Sequence, residues 1–150
     1  MNLGKLISRE SNVAPEHIML LRHSNTLLPA LLNAGGTIEE YTLVQPSNSR
    51  YDFHADGKPQ INVVAVIVND VVHVVYRILG VERHGTTRTL VSPKFQRFDV
   101  AHKFPERDAK LFTAEEIQST AVTRPIRGWT SPRTPVARFG GILFESVEIN

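Results

Sequence analysis

The segment Arg83-His84-Gly85-Thr86-Thr87-Arg88 gathers two guanidinium groups, an imidazole and two hydroxyls around one glycine. Arginine can hold a guanine edge through two parallel hydrogen bonds, and threonine can reach a phosphate or a thymine methyl. A second group, Arg50-Tyr51-Asp52-Phe53-His54-Ala55-Asp56-Gly57-Lys58, mixes basic, aromatic and imidazole side chains. Taken blandly it is a surface turn closed by Asp56-Gly57. Taken as an arm, it sets Arg50 and Lys58 on phosphates. His54 and His84 lie near arginines, where an imidazole can donate to a phosphate or a base edge. Trp129, the one tryptophan, sits in Gly128-Trp129-Thr130-Ser131-Pro132-Arg133. It is either a stacking platform between arginines or a hydrophobic plug, and the plug is preferred.

The surrounding charge gives these segments their weight. Residues 77–138 hold twelve basic and six acidic side chains, a surplus of +6, whereas residues 1–76 and 139–150 each carry −2. Two stretches inside the basic region lack any acid. Arg83 to Arg97 contains Arg83, Arg88, Lys94 and Arg97, and Ile117 to Arg138 contains Arg124, Arg127, Arg133 and Arg138. Positive charge without local counter-ions is what a polyanion-binding face requires. The competing explanation is a solvated face whose charges pair with acids distant in sequence.

Most other chemistries are excluded. With no cysteine among the 150 residues, disulfides, thiol nucleophiles and Cys-held zinc or iron–sulfur centres are impossible, and a reducing compartment fits. Neither GxxxxGK[ST] nor GxGxxG occurs, so no phosphate-cradling loop is expected. His17, His23, His54, His73, His84 and His102 are scattered, with no pair spaced for one helical face, so no metal is expected. Glu106-Arg107-Asp108-Ala109-Lys110, with Asp99, loosely matches a carboxylate–lysine nuclease site. The strand that should carry its first aspartate is not evident, and surface ion pairs explain the segment better. No catalytic residue and no cofactor are therefore assigned. No run approaches the roughly 18 apolar residues of a membrane span. The opening Met1-Asn2-Leu3-Gly4-Lys5 has no apolar signal core behind it, so a cytoplasmic protein is expected.

The elements that position these side chains are readable in outline. With 41% hydrophobic and 21% charged residues, the chain is an ordinary globular one, long enough for one domain over residues 1–150. Leu3–Glu10 is expected to be a helix and His17–His23 a strand. Thr26 can cap a helix through Leu32, and Thr37-Ile38-Glu39-Glu40 is a capping box opening another helical turn. Ile61–Val68 and Val71–Val81, joined by Asn69-Asp70, predict an antiparallel hairpin. In its second strand, simple alternation puts Val72, Val74 and Tyr76 on one face, with His73, Val75 and Arg77 on the other. Phe95–Val100 is a further possible strand. Thr113-Ala114-Glu115-Glu116, a second capping box, predicts a late helix to about Ser119. Ala121–Ile126 and Gly141–Ile149 read as the last strands.

Ile18-Met19-Leu20-Leu21-Arg22-His23 after a short helix resembles the amino-terminal region of bacterial GIY-YIG nuclease-family proteins. In that pattern a leucine-rich helix and an aromatic-Gln stretch follow, here Tyr41 to Gln45. A hairpin ending in Tyr76-Arg77-Ile78-Leu79-Gly80 comes next, and Gly128-Trp129 with Val136-Ala137-Arg138 closes the module. The resemblance implies a recognition module, with a nuclease domain beyond Asn150. The GIY and YIG strands are absent, so no cleavage activity carries over. The architecture is also similar to B3-like DNA-binding domains of restriction endonucleases and plant transcription factors. In those, two arms grip the major groove, which would place the arms at Ser47–Lys58 and Arg83–Arg97. PUA-like barrels that bind RNA or modified bases share the element order.

The expectation is an α+β, mainly β domain: a small mixed, mostly antiparallel barrel, B3-like or PUA-like, with short amino-terminal helices and one late helix. Its function would be double-stranded DNA binding as the target-recognition or effector part of a bacterial restriction endonuclease or related nuclease. The contacts would come from Arg50, Tyr51, His54, Lys58, Arg83, His84, Thr86, Thr87, Arg88, Lys94, Arg97, Arg124, Arg127, Trp129 and Arg133. The alternative is a PUA-like barrel for RNA or a flipped modified base, with Trp129 and Tyr51 lining a cavity. A metal-dependent nuclease using Asp99, Glu106 and Lys110 is the enzyme rival, and a protein-interaction module is the blandest reading.

Overall fold

The computed structural model describes residues 1–23, 29, 32–33, 35–43, 53, 57–83, 110–118, 124–129 and 136–150. The chain divides into two compact units, one of Met1–His23, Phe53–Ile78 and Ala114–Asn150, the other of Ser24–Asp52 and Leu79–Thr113. In the second unit α2 (Ile38–Leu43) forms where the Thr37 capping box predicts it. The expected helix from Thr26 lies largely outside the described residues.

The first unit opens with α1 (Leu3–Ser11). Asn2 caps it, its Oδ1 accepting from Lys5 N at 3.1 Å, and Leu3, Leu6 and Ile7 bury one stripe at helical spacing. The helix stops where Asn12 turns left-handed at φ 56°, its N–H bonded to Ser8 O. Arg77 Nη2 donates to Ser11 O at 3.3 Å, satisfying a carbonyl at the helix end. A 3-10 turn (Pro15–His17) then leads into β1 (Ile18–Arg22).

The hairpin forms as expected. β2 (Val63–Val68) and β3 (Val71–Arg83) pair antiparallel. Asn69 (φ 51°) and Asp70 (φ 59°) both adopt the left-handed conformation of a two-residue type I′ turn. β1 lies parallel to β2, and β6 (Val136–Arg138) lies antiparallel along the other side of β1. With β4 (Lys110–Glu116) the sheet order is β4-β3-β2-β1-β6. The fold is thus mixed α+β around a mostly antiparallel five-stranded sheet, open at β4 and β6 among the described residues. β5 (Ile126–Arg127) and β7 (Glu148–Ile149) make a separate antiparallel ribbon.

Both faces of the sheet are buried at β1, β2 and the part of β3 that faces them. On one, Ile18, Leu20, Val63, Ala65, Ile67, Val72, Val75 and Ala137 pack with α1 and with Ile126, Trp129, Phe144, Val147 and Ile149. On the other, Met19, Leu21, Val64, Val66, Val74 and Tyr76 are each no more than 6% exposed. Strands buried on both sides read as continuous Val and Ile, which is why the sequence here lacks alternating polarity. Simple alternation fails in β3. The pairing shifts between Val66 and Ile67, so that Val66 faces Val74 while Ile67 faces Val72. His73 is the extra residue of this bulge and is exposed, and Val72 and Val75 therefore share a face.

Two late elements correct the sequence reading. Thr113–Glu116 is not a helix but part of β4, whose continuation is held by Ile117 N donating to Val75 O at 2.8 Å. Pairing with a long neighbouring strand outweighs a local capping box. Gly141–Ile149 is not one strand. It holds α3 (Ile142–Ser146) before β7. Asn2 Nδ2 donates to Glu145 O at 2.8 Å and Phe144 O at 3.3 Å, so a distant residue satisfies this short helix. Of Ala121–Ile126, only Ile126 is in a strand among the described residues, and Phe95–Val100 lies outside them.

Candidate nucleic-acid interface

β5 and the two residues before it present two of the expected cations. Val72 N donates to Arg124 O at 3.3 Å and Ile126 N to Asp70 O at 2.8 Å, so the hairpin end anchors the segment Arg124–Arg127. Ile126 turns into the core, leaving Arg124 and Arg127 exposed. Arg127 stands across the ribbon from Glu148, yet that carboxylate is 3.0 Å from the amino terminus. The other ion pair among the described residues is Arg9–Glu10. Arg124, Arg127 and Lys58 thus reach solvent with no carboxylate engaged among the described residues, the condition a phosphate contact needs. Lys58 lies just before β2, and Arg83 is the last residue of β3.

Trp129 belongs elsewhere. It is 6% exposed and packs in the main core, with the Arg22 guanidinium carbon 5.0 Å from its ring centroid. Arg22 Nη1 also donates to Trp129 O at 2.8 Å. Gly128 makes this possible: at φ 93° it runs against the Ser146 backbone, where any Cβ would collide with the Ser146 carbonyl. A ring enclosed in this way offers no face to a base, so Trp129 leaves the set of contact residues and is the plug. Arg50, Tyr51, His54, His84, Thr86, Thr87, Arg88, Lys94, Arg97 and Arg133 lie outside the described residues, as do Asp99 and Glu106. Among the described residues no group of three metal-ligating side chains occurs, and no helix is long and apolar enough to cross a membrane.

The described residues also form a groove that the sequence reading missed. About 630 Å³ in volume, it lies beside β6 and is lined by Glu16, Lys58, Pro59, Val136–Gly141 and Phe144. The available signal was Phe139-Gly140-Gly141, an aromatic residue followed by two glycines directly after a strand.

His23, at the end of β1, is buried, and its pKa falls from 6.5 to about 4, first through burial and second through the nearby His73. The folded chain keeps this imidazole neutral down to about pH 4, whereas the unfolded chain protonates it near 6.5. Between these values the unfolded state holds the extra proton, so stability is complete above pH 6.5 and is lost on acidification. The expected loss from pH 7 to pH 4 is roughly 3 kcal/mol from this group alone. Urea melts across that range should show it, and His23→Gln should flatten the dependence. An equal pH slope in both proteins would remove His23 as its source.

No protein-family model matches the chain, and no curated protein or solved structure matches it either.

Proposed function

We propose that this chain is a non-catalytic double-stranded DNA-binding domain, the target-recognition or effector part of a bacterial nuclease system. In this reading the sheet and the β5–β7 ribbon are parts of a B3-like or PUA-like barrel, and the duplex lies along the basic region. The observation that supports it most is the exposure of Arg124 and Arg127, with no carboxylate engaged among the described residues, inside a region carrying a +6 surplus. Their phosphate contacts would supply most of the affinity, and base choice would come from the arms at Ser47–Lys58 and Arg83–Arg97.

The test is duplex binding against salt. Affinity should fall with a logarithmic slope of about 0.9 for each phosphate neutralised. Arg124→Ala and Arg127→Ala should each reduce that slope by about one and weaken all sequences alike. Arg88→Ala, in contrast, should lower affinity by about 1–3 kcal/mol on the preferred site found by selection from a randomised duplex pool. A flat salt response would remove the electrostatic basis of the proposal. Nicking of the duplex in magnesium or manganese would overturn the non-catalytic part.

A further inference from the structure

Phe139 follows β6 and is 44% exposed, whereas Phe53, Tyr76, Trp129 and Phe144 are all buried. Its ring meets Phe144 edge to face, with centroids 5.7 Å apart and planes at 84°. Phe144, itself 1% exposed, therefore fixes the Phe139 ring from inside while its outer side stays open. The approach is clear as well, because a Cβ at Gly140 would meet nothing within 4 Å. The groove has the size of a small-ligand site, on the order of 300–1,000 Å³. Its charged lining residues are the exposed Lys58 and Glu16 and the half-buried Arg138.

We infer that this groove is a nucleotide site for an unpaired base, the base stacking on Phe139 and its phosphate meeting Lys58. The inference rests on the reading of the chain as a nucleic-acid binder. Every base has a π face, so a fixed, half-open aromatic ring beside a cation binds single strands with little sequence preference. Bases inside a duplex are already stacked on each other, so the occupant is a strand end, a single strand or an extruded base. Glu16 repels a second phosphate and accepts from base amino groups, which suits one nucleotide better than a run of backbone. An added peptide strand fits less well. β6 spans three residues, and Arg138 O is already bonded by Gly141 N at 3.1 Å, leaving little open edge to extend.

The test compares a fluorescent oligo-deoxycytidine with a blunt duplex, both titrated against the whole chain by anisotropy. Phe139→Ala should weaken the single strand about tenfold and leave the duplex within about twofold. Phe139→Trp should hold or raise single-strand affinity. Lys58→Gln, at an exposed position, should weaken the single strand without changing melting, so the test survives if Phe139→Ala disturbs packing on Phe144. Single-strand binding unchanged in both Phe139→Ala and Lys58→Gln overturns the inference, as does an equal loss on both ligands in Phe139→Ala. If the duplex binds with its Arg127 dependence and Phe139 is silent, this site falls and the duplex reading stands. If only the single strand binds, through Phe139, the duplex reading falls and this site stands. Binding to neither overturns both.

Discussion

Trp129→Ala is expected to lose about 3–5 kcal/mol of stability, the range for deleting a buried tryptophan from a core that collapses only partly. Set against a total of about 5–15 kcal/mol for a domain, that loss brings the chain close to unfolding at moderate temperature. Two structural facts make the upper half of the range the better expectation. The ring is 6% exposed within the cluster that joins α1 to the sheet, and Arg22 lies over it. Removing the indole strips the partly buried guanidinium of its cation–π partner, although the bond to Trp129 O can persist because the backbone supplies it. Trp129→Phe retains most of the volume and should lose less. Thermal melting with circular dichroism decides the matter. A Trp129→Ala chain that melts as the parent does, but binds nucleic acid poorly, would restore the ring to the binding surface.

The same residue shows where sequence reading reaches its limit. A tryptophan among Gly, Ser and Pro reads as a loop residue, and the partner that encloses it, Arg22, is 107 positions away. The hairpin was legible because its cause is local: two residues tolerant of positive φ between two Val-rich runs. So was α1, whose cap and apolar stripe lie within a few residues of each other. Thr113–Glu116 carries an equally good local helix signal, but what decides its fate is pairing with β3, where the next residue, Ile117, bonds to Val75, a strand residue distant in sequence. The bulge at His73 left no mark in a run that is apolar on both faces, since slipping by one residue exchanges valine for valine. Of the site, sequence identified Arg124 and Arg127 as cations in a stretch without an acid, and Lys58 as a cation of a polar arm, because charge is counted without coordinates. It could not place Phe139 against Phe144 or Lys58 beside β6, since those are products of packing.

Val74→Asp should be at least as damaging as the loss of Trp129, at about 4 kcal/mol or more, and for a different reason. Val74 is 5% exposed, faces Val66 across the hairpin, and shares its face with Val64, Tyr76, Met19 and Leu21. An ionised carboxylate there would be desolvated with no cation beside it on that face among the described residues, so the group would stay protonated in the folded chain. Its folded pKa would then lie above the unfolded value near 3.9, and the penalty would grow as pH rises through that range. This sign is opposite to that of His23. Acid should therefore relieve part of the Val74→Asp defect while it weakens the parent. Val74→Asn, polar but not titrating, should show a defect without that relief. One position earlier, His73→Asn should change stability by no more than about 0.5 kcal/mol, because the bulge holds His73 in solvent. Urea titrations of the four proteins at pH 7 and pH 5 separate these effects. A tolerated Val74→Asp beside a damaging His73→Asn would mean that the two residues have exchanged faces, and the register of β2 on β3 would have to be redrawn by one residue.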